Sequence, residues 1–184
     1  MTSQIIARLD ASDRAIFARW TVAPPPPLVA RLWTLVTHLG GSTATILAVL
    51  LPAFVSLFLT PDFAIRVRQA SLAGALTLLI SHLLVQVLKR TAGRPRPSPA
   101  DARCRLMDAP DRFSFPSGHS AAVVSVAASY GSVFPLLAPW LVILALIVGA
   151  SRVRLGVHYP GDVLAGQAIA LLTAVLTGTA LGII

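Results

Sequence analysis

The sequence predicts an all-α fold, an integral-membrane helical bundle of five to six transmembrane helices preceded by an amphipathic N-terminal helix. Three observations predict it. Hydrophobic residues make up 55% of the chain and charged residues 12%, against about 25% charged in a soluble domain. Apolar runs recur between short polar stretches, several near the ~20 residues that cross the hydrocarbon core. Only helices or closed barrels satisfy every backbone polar group in lipid, and the bundle is the reading adopted.

The elements follow in order. In the first twenty residues Arg8, Asp10, Asp13, Arg14 and Arg19 interrupt any apolar core, so no cleavable signal peptide is expected. Ile5, Ile6, Leu9, Ile16, Phe17 and Trp20 fall largely on one side of a helix, which would lie in the membrane interface or pack on the bundle. Pro24 to Pro27 break the chain, because consecutive prolines exclude regular helix. Residues 28–39 form a half-buried helix or partial span, ended by Gly40-Gly41. The first full span is 42–59. A polar turn with Pro61, Asp62, Arg66 and Arg68 leads to the second, 69–88, closed by Lys89-Arg90. Residues 91–115, rich in Pro, Arg and Asp, form a loop outside the lipid. Two spans follow, 117–134 and 136–150, separated near Pro135 and Pro139. A short loop with Arg152, Arg154 and His158 precedes the last span, 160–184, where Pro160 suits the first helical turn. Residues 1–184 make one domain, with a catalytic core over 70–180.

The formal charge of +8 would suit a nucleic-acid binder. The basic residues, however, concentrate around 89–112 between apolar spans, a pattern that suits anionic headgroups and a bound phosphate, and no nucleic-acid partner is expected. The single cysteine, Cys104, forms no intramolecular disulfide and sits in no metal-ligand or thiol-catalysis pattern. Five spans place 89–116 and 151–160 on the same membrane face, so three stretches distant in sequence converge at one end of the bundle.

Each stretch carries chemistry-bearing residues. Lys89–Pro97 is a cationic run, which by itself is also what anchors a helix end to headgroups. Pro116-Ser117-Gly118-His119-Ser120 precedes an apolar helix. Ser117 suits an N-cap, Gly118 admits a ligand close to the backbone, and a helix start favours phosphate. His119 is either a proton donor to a leaving oxygen or a capping histidine. In Ser151–Asp162, His158 lies four residues before Asp162, a carboxylate placed to fix its tautomer and support a nucleophile. Asp162 alone would equally suit a helix N-terminus.

Together the three stretches resemble the type 2 phosphatidic acid phosphatase family, which includes lipid phosphate phosphatases and vanadium haloperoxidases. Its pattern is Lys, six residues, Arg-Pro; then Pro-Ser-Gly-His; then Ser-Arg, five residues, His, three residues, Asp. Here these are Lys89 with Arg96-Pro97, Pro116–His119, and Ser151-Arg152 with His158 and Asp162. The resemblance implies a phosphatase in which His158 attacks phosphorus, Asp162 orients it and His119 protonates the departing lipid oxygen. Lys89, Arg96, Arg152, Ser117 and the Gly118 backbone N–H would hold the phosphate. It implies no cofactor and no metal, and the chain lacks the acidic cluster of a two-metal phosphatase. The apolar spans argue against a soluble haloperoxidase.

The substrate implied is a lipid phosphate, first a polyprenyl diphosphate such as undecaprenyl diphosphate. Phosphatidic acid, phosphatidylglycerol phosphate, a polyprenyl-phosphosugar phosphate and transfer to a second lipid are the alternatives. The implied location is a bacterial inner membrane. The distribution of basic residues favours a cytoplasmic active face, whereas many bacterial relatives place it outward. Arg94, Arg103, Arg105, Arg112 and Arg154 are expected to face headgroups, His82 to hydrogen-bond between helices, and His38 to be structural.

Overall fold

The computed structural model describes residues 2–21, 25–97, 107 and 111–184, the side chains of residues 2–9 excepted. Ile5, Ile6, Leu9, Pro24, Arg103, Cys104 and Arg105 therefore carry expectations that lie outside the described residues. Seven α-helices follow one another: α1 (Thr2–Trp20), α2 (Pro27–His38), α3 (Ser42–Val55), α4 (Pro61–Ala92), α5 (Gly118–Val133), α6 (Ala138–Arg154) and α7 (Pro160–Ala180). The fold is all-α, and α4, α6 with its leading 3-10 turn, and α7 are each long and apolar enough to span a membrane. The helices α2 and α3 bend by 51° at their junction and together make a further candidate span.

The centre of the bundle is α5, only 16 residues long, which packs against α4, α6 and α7 and exposes none of its residues. Its small side chains let the neighbours come close, as in membrane helix pairs generally. Buried hydroxyls join the helices: Ser81 to Ser125 at 2.9 Å, Thr77 to Thr177 at 2.6 Å and Ser71 to Tyr130 at 2.8 Å. A close approach is at Gly166 of α7, where a Cβ would collide with the Ser117 carbonyl oxygen. Glycine there lets α7 press against the start of α5, and so brings two of the motifs together. Large apolar side chains cover the outside, among them Leu136, Phe58, Trp140 and Leu176. Such an apolar surface fits a lipid surround.

One segment differs from expectation. Residues 61–68 are the first two turns of α4, not a turn before it. Pro61 sits at the helix start, where its missing N–H breaks no bond. Arg66 donates to the Val133 carbonyl at 2.6 Å and Arg68 to Ser56 at 3.0 Å, so both guanidinium groups reach sideways to neighbouring elements. At 32 residues α4 is about 48 Å long, taking ~1.5 Å per residue, and outreaches the hydrocarbon core.

The N-terminal helix packs on the bundle. Phe17 of α1 is buried with Val153, Tyr159 and Val163, its ring edge-on to Tyr159 at 5.2 Å. Ile16 and Trp20, grouped with Phe17 by pattern, stay exposed.

Candidate active site

The motif residues meet at one end of the bundle. Lys89 stands in the last turn of α4, which stops at Gly93. The chain then runs extended, and Pro95 bridges to Phe113 while Ser114 N–H donates to the Arg94 carbonyl at 2.8 Å. This pairing fixes Arg96 beside Asp111. Gly118 and His119 open α5, Arg152 ends α6, and Asp162 stands in the first turn of α7. The connection carrying His158 is held by its own backbone, because the N–H groups of Val157 and His158 both donate to the Arg152 carbonyl. Leu155, Val157 and Tyr159 anchor it, each almost wholly buried.

A cavity of about 530 Å³ opens here, lined at its polar end by Lys89, Arg96, His119, Arg152 and His158. Its walls continue along α3 and α4 through Ile46, Val49 and Leu79. Span counting brought these stretches to one face, and the cavity is where they converge.

The protonation of His158 follows from its neighbour. Arg96 Nη1 lies 3.0 Å from His158 Nε2, and a guanidinium only donates. Nε2 therefore carries the lone pair, and in the neutral ring the proton sits on Nδ1, facing Asp162. Burial lowers the His158 pKa to about 4, aided by Arg152 and Arg96 and opposed by Asp162. The imidazole is thus neutral at physiological pH, with the Nε2 lone pair accepting from Arg96 at the cavity. His158 Nδ1 and Asp162 Oδ2 are 3.7 Å apart, too long for a hydrogen bond, and Nδ1 has no hydrogen-bond partner among the described residues. Such catalytic contacts are often long without substrate and tighten in the reacting complex.

Asp162 is fully buried and well satisfied. Oδ1 accepts from Arg94 at 2.7 Å, while Oδ2 accepts from Ser114 and from the Tyr159 N–H at 2.8 Å. Arg94 is thus a correction to the headgroup-facing expectation: Asp162, Asp13 and Asp10 all pair with it, and it stacks on Tyr159 at 4.3 Å. Burial opposes its charge, but the three carboxylates outweigh that and raise its pKa further. Arg154, partly exposed, donates to the Trp20 carbonyl at the end of α1. Arg112 stacks on Phe113 at 4.9 Å.

Arg152 is 1% exposed, and no carboxylate among the described residues pairs with it. Nη1 donates to Thr37 at 2.6 Å, and Nε has no hydrogen-bond partner among the described residues. A buried cation is costly without a counter-charge, so a guanidinium with no carboxylate among the described residues suits an anion. On the other side Asp111 holds Lys89 at 2.7 Å and Arg96 at 2.8 Å. Burial would raise the Asp111 pKa, yet these two cations hold it below the usual carboxylate range.

One motif residue stands apart. Ser117 caps α5 as expected, its hydroxyl accepting from Ser120 Oγ at 2.9 Å, and it is fully buried behind the residues that line the cavity. His82 departs from expectation: its bond is within α4, to Gln86 at 3.4 Å, and both line the cavity.

Residues 70–181 match the model of the PAP2 superfamily. The chain belongs to that superfamily. Phosphatidylglycerophosphatase B of Bacillus subtilis is 31% identical, over 89% of this chain and 80% of its own. The lipid A 1-phosphatase of Rhizobium johnstonii is 38% identical over 54% of this chain and 45% of its own. The chain spans about half the length of most of the curated relatives it matches. Among solved structures, the PAP2-type phosphatidylglycerolphosphate phosphatase of Bacillus subtilis superposes with a TM-score of 0.76 at 28% identity, over 94% of this chain and 86% of that one. Within the PAP2 frame, Asp111, Arg94, Thr37 and Ser114 are the site residues that sequence reading missed. Only Arg94 had a signal: it lies two residues before Arg96 in a stretch too rich in proline for a helix.

Proposed function

We propose that this membrane protein is a lipid-phosphate phosphatase that works through a phosphohistidine on His158, without a metal. One observation carries the reading: a neutral nucleophilic nitrogen, a second imidazole and three cations share the head of an apolar-walled cavity. Lys89, Arg96 and Arg152 would neutralise the phosphate oxygens, with the Gly118 N–H at the start of α5 completing the cradle. His158 Nε2 attacks phosphorus as the bond to the lipid oxygen breaks, and His119 gives that oxygen its proton. Water then loses a proton to His119 and attacks the phosphohistidine, releasing phosphate and restoring Nε2. Asp162, acceptor-only and facing Nδ1, stabilises the positive charge that builds on the ring. The neighbouring apolar walls suit a hydrocarbon chain, and a bacterial inner membrane is the proposed location.

The first substrate reading is a polyprenyl diphosphate such as undecaprenyl diphosphate. A specific observation favours a second, a glycerophospholipid phosphate. Gln86 and His82 lie one and two turns below Lys89 on the cavity wall, about 4.5 and 10 Å down the helix. They are placed to bond acyl ester groups, which a prenyl chain lacks. Two relatives that overlap most of this chain are named for phosphatidylglycerol phosphate.

Phosphate release in detergent from undecaprenyl diphosphate, phosphatidic acid and phosphatidylglycerol phosphate tests both parts. His158→Ala should lower turnover at least ~10³-fold on every active substrate. Wild-type turnover by that variant would remove His158 as the nucleophile. The lipid with the highest kcat/KM decides the substrate, and a His82→Leu change should weaken only a glycerophospholipid.

A further inference from the structure

The geometry points to the N-terminal helix as part of the catalytic apparatus: we propose that Asp10 and Asp13 of α1 act through Arg94 as positioning residues for Asp162, and so for His158. This rests on the phosphohistidine reading above. Nothing in the motifs reaches α1, yet its residues at helical spacing lie on the rear of the site. Asp10, Asp13, Arg14 and Phe17 repeat every three or four positions and share one face.

The contacts are specific. Asp10 accepts from Arg94 Nη2 at 2.6 Å, and Asp13 pairs with Arg94 Nη1 at 2.8 Å. That same Nη1 donates to Asp162 Oδ1 at 2.7 Å, so one guanidinium nitrogen lies between a carboxylate of α1 and the buried carboxylate of α7. Asp13 also accepts from the Gly161 N–H at 2.7 Å, satisfying a first-turn donor of α7 immediately beside Asp162. A side chain at position 161 would forbid this, since a Cβ there would lie 2.8 Å from Asp13 Oδ2. Arg14 completes the docking, paired with Asp10 at 2.8 Å and over the Tyr159 ring at 5.3 Å.

Two consequences follow. A carboxylate turns easily about its last torsion, and Arg94 on Oδ1 fixes which way Asp162 presents Oδ2 to His158. The acids of α1 also share the Arg94 charge. Without them the full guanidinium charge falls on Asp162, which then stabilises a charged His158 less well. Both effects act on the step that builds charge on the ring and neither on the cavity that binds lipid.

The test uses the full chain in detergent, with phosphate release at steady state and phosphohistidine formation by rapid quench in single turnovers. Asp10→Asn/Asp13→Asn should lower the rate of phosphohistidine formation about tenfold, as loss of an outer supporting partner does. The substrate concentration giving half the maximal formation rate, and the fraction of protein that reacts in single turnovers, should stay within twofold. A helix that merely stabilises the fold would lower that fraction at an unchanged rate; that result overturns the proposal. If the double variant is poorly folded, Asp10→Asn alone, at a partly exposed carboxylate, should show the same rate loss more weakly, and an unchanged formation rate there also overturns it. Wild-type turnover by His158→Ala would sink the phosphohistidine reading itself. A normal His158→Ala loss with an unaffected Asp10→Asn/Asp13→Asn formation rate would sink only the role of α1.

Discussion

Arg94 and Arg96 stand two residues apart in one extended strand of chain, yet they serve opposite sides of the same histidine. Arg96 faces the cavity, where it touches His158 Nε2 and the carboxylate of Asp111. Arg94 faces the rear, where Asp10, Asp13 and Asp162 hold it. The difference lies in their partners. The front arginine shares one half-exposed carboxylate with Lys89, so a phosphate can compete for it. The rear arginine is locked by three carboxylates and a ring, which suits a fixed support. Identical side chains become a ligand group or a strut according to how many acids surround them.

The largest expected effect breaks the front. Arg96→Ala removes a charge from the transferring phosphoryl group and should cut kcat/KM by about 10² to 10³. Arg94→Met tests the rear and should show itself first as instability. It leaves buried Asp162 without its cation and should cost about 3 kcal/mol in unfolding measurements, the low end for a broken buried pair because Ser114 and Tyr159 still hold the other oxygen. Unaltered stability of Arg94→Met would erase the contrast between the two.

Asp111→Asn should sharpen the same contrast. It frees Lys89 and Arg96 from a competing carboxylate and should lower KM by up to about fivefold, the scale of a half-exposed ion pair. A raised KM would mean that Asp111 orders the two cations and does not compete. The smallest effect concerns acid. Because the His158 pKa is depressed to about 4, the ring stays neutral as pH falls through 6.5 and gains its proton only near 4. An NMR titration of that ring should show no change between pH 7 and 5.5, and a midpoint near 6.5 would contradict the front geometry.

Much of this was legible beforehand. The apolar runs foretold the helices, and counting them brought Lys89, Arg96, Gly118, His119, Arg152 and His158 to one end, where the cavity now joins them. What escaped was contact without pattern. Asp111 lies in an irregular stretch with no period to place it. Asp10 and Asp13 looked like the polar face of a surface helix, because sequence spacing shows that residues share a face but not what the face meets. Ser117 shows a related limit: a serine at a helix start can cap the helix, bind a ligand or do both, and the structure shows the expected cap. Residues 61–68 were read as a turn from their charge, although their arginines find partners sideways and the helix continues.

Among the described residues no carboxylate pairs with Arg152, which has one more consequence. A buried charge without a counter-ion weakens the folded state, and an anion that supplies the counter-ion restores what was lost. Binding of such an anion would therefore be thermodynamically linked to folding in this bundle. On the proposed function, scarcity of the lipid phosphate in the bilayer would leave the protein less stable, and its abundance in the cell would follow the supply of that lipid.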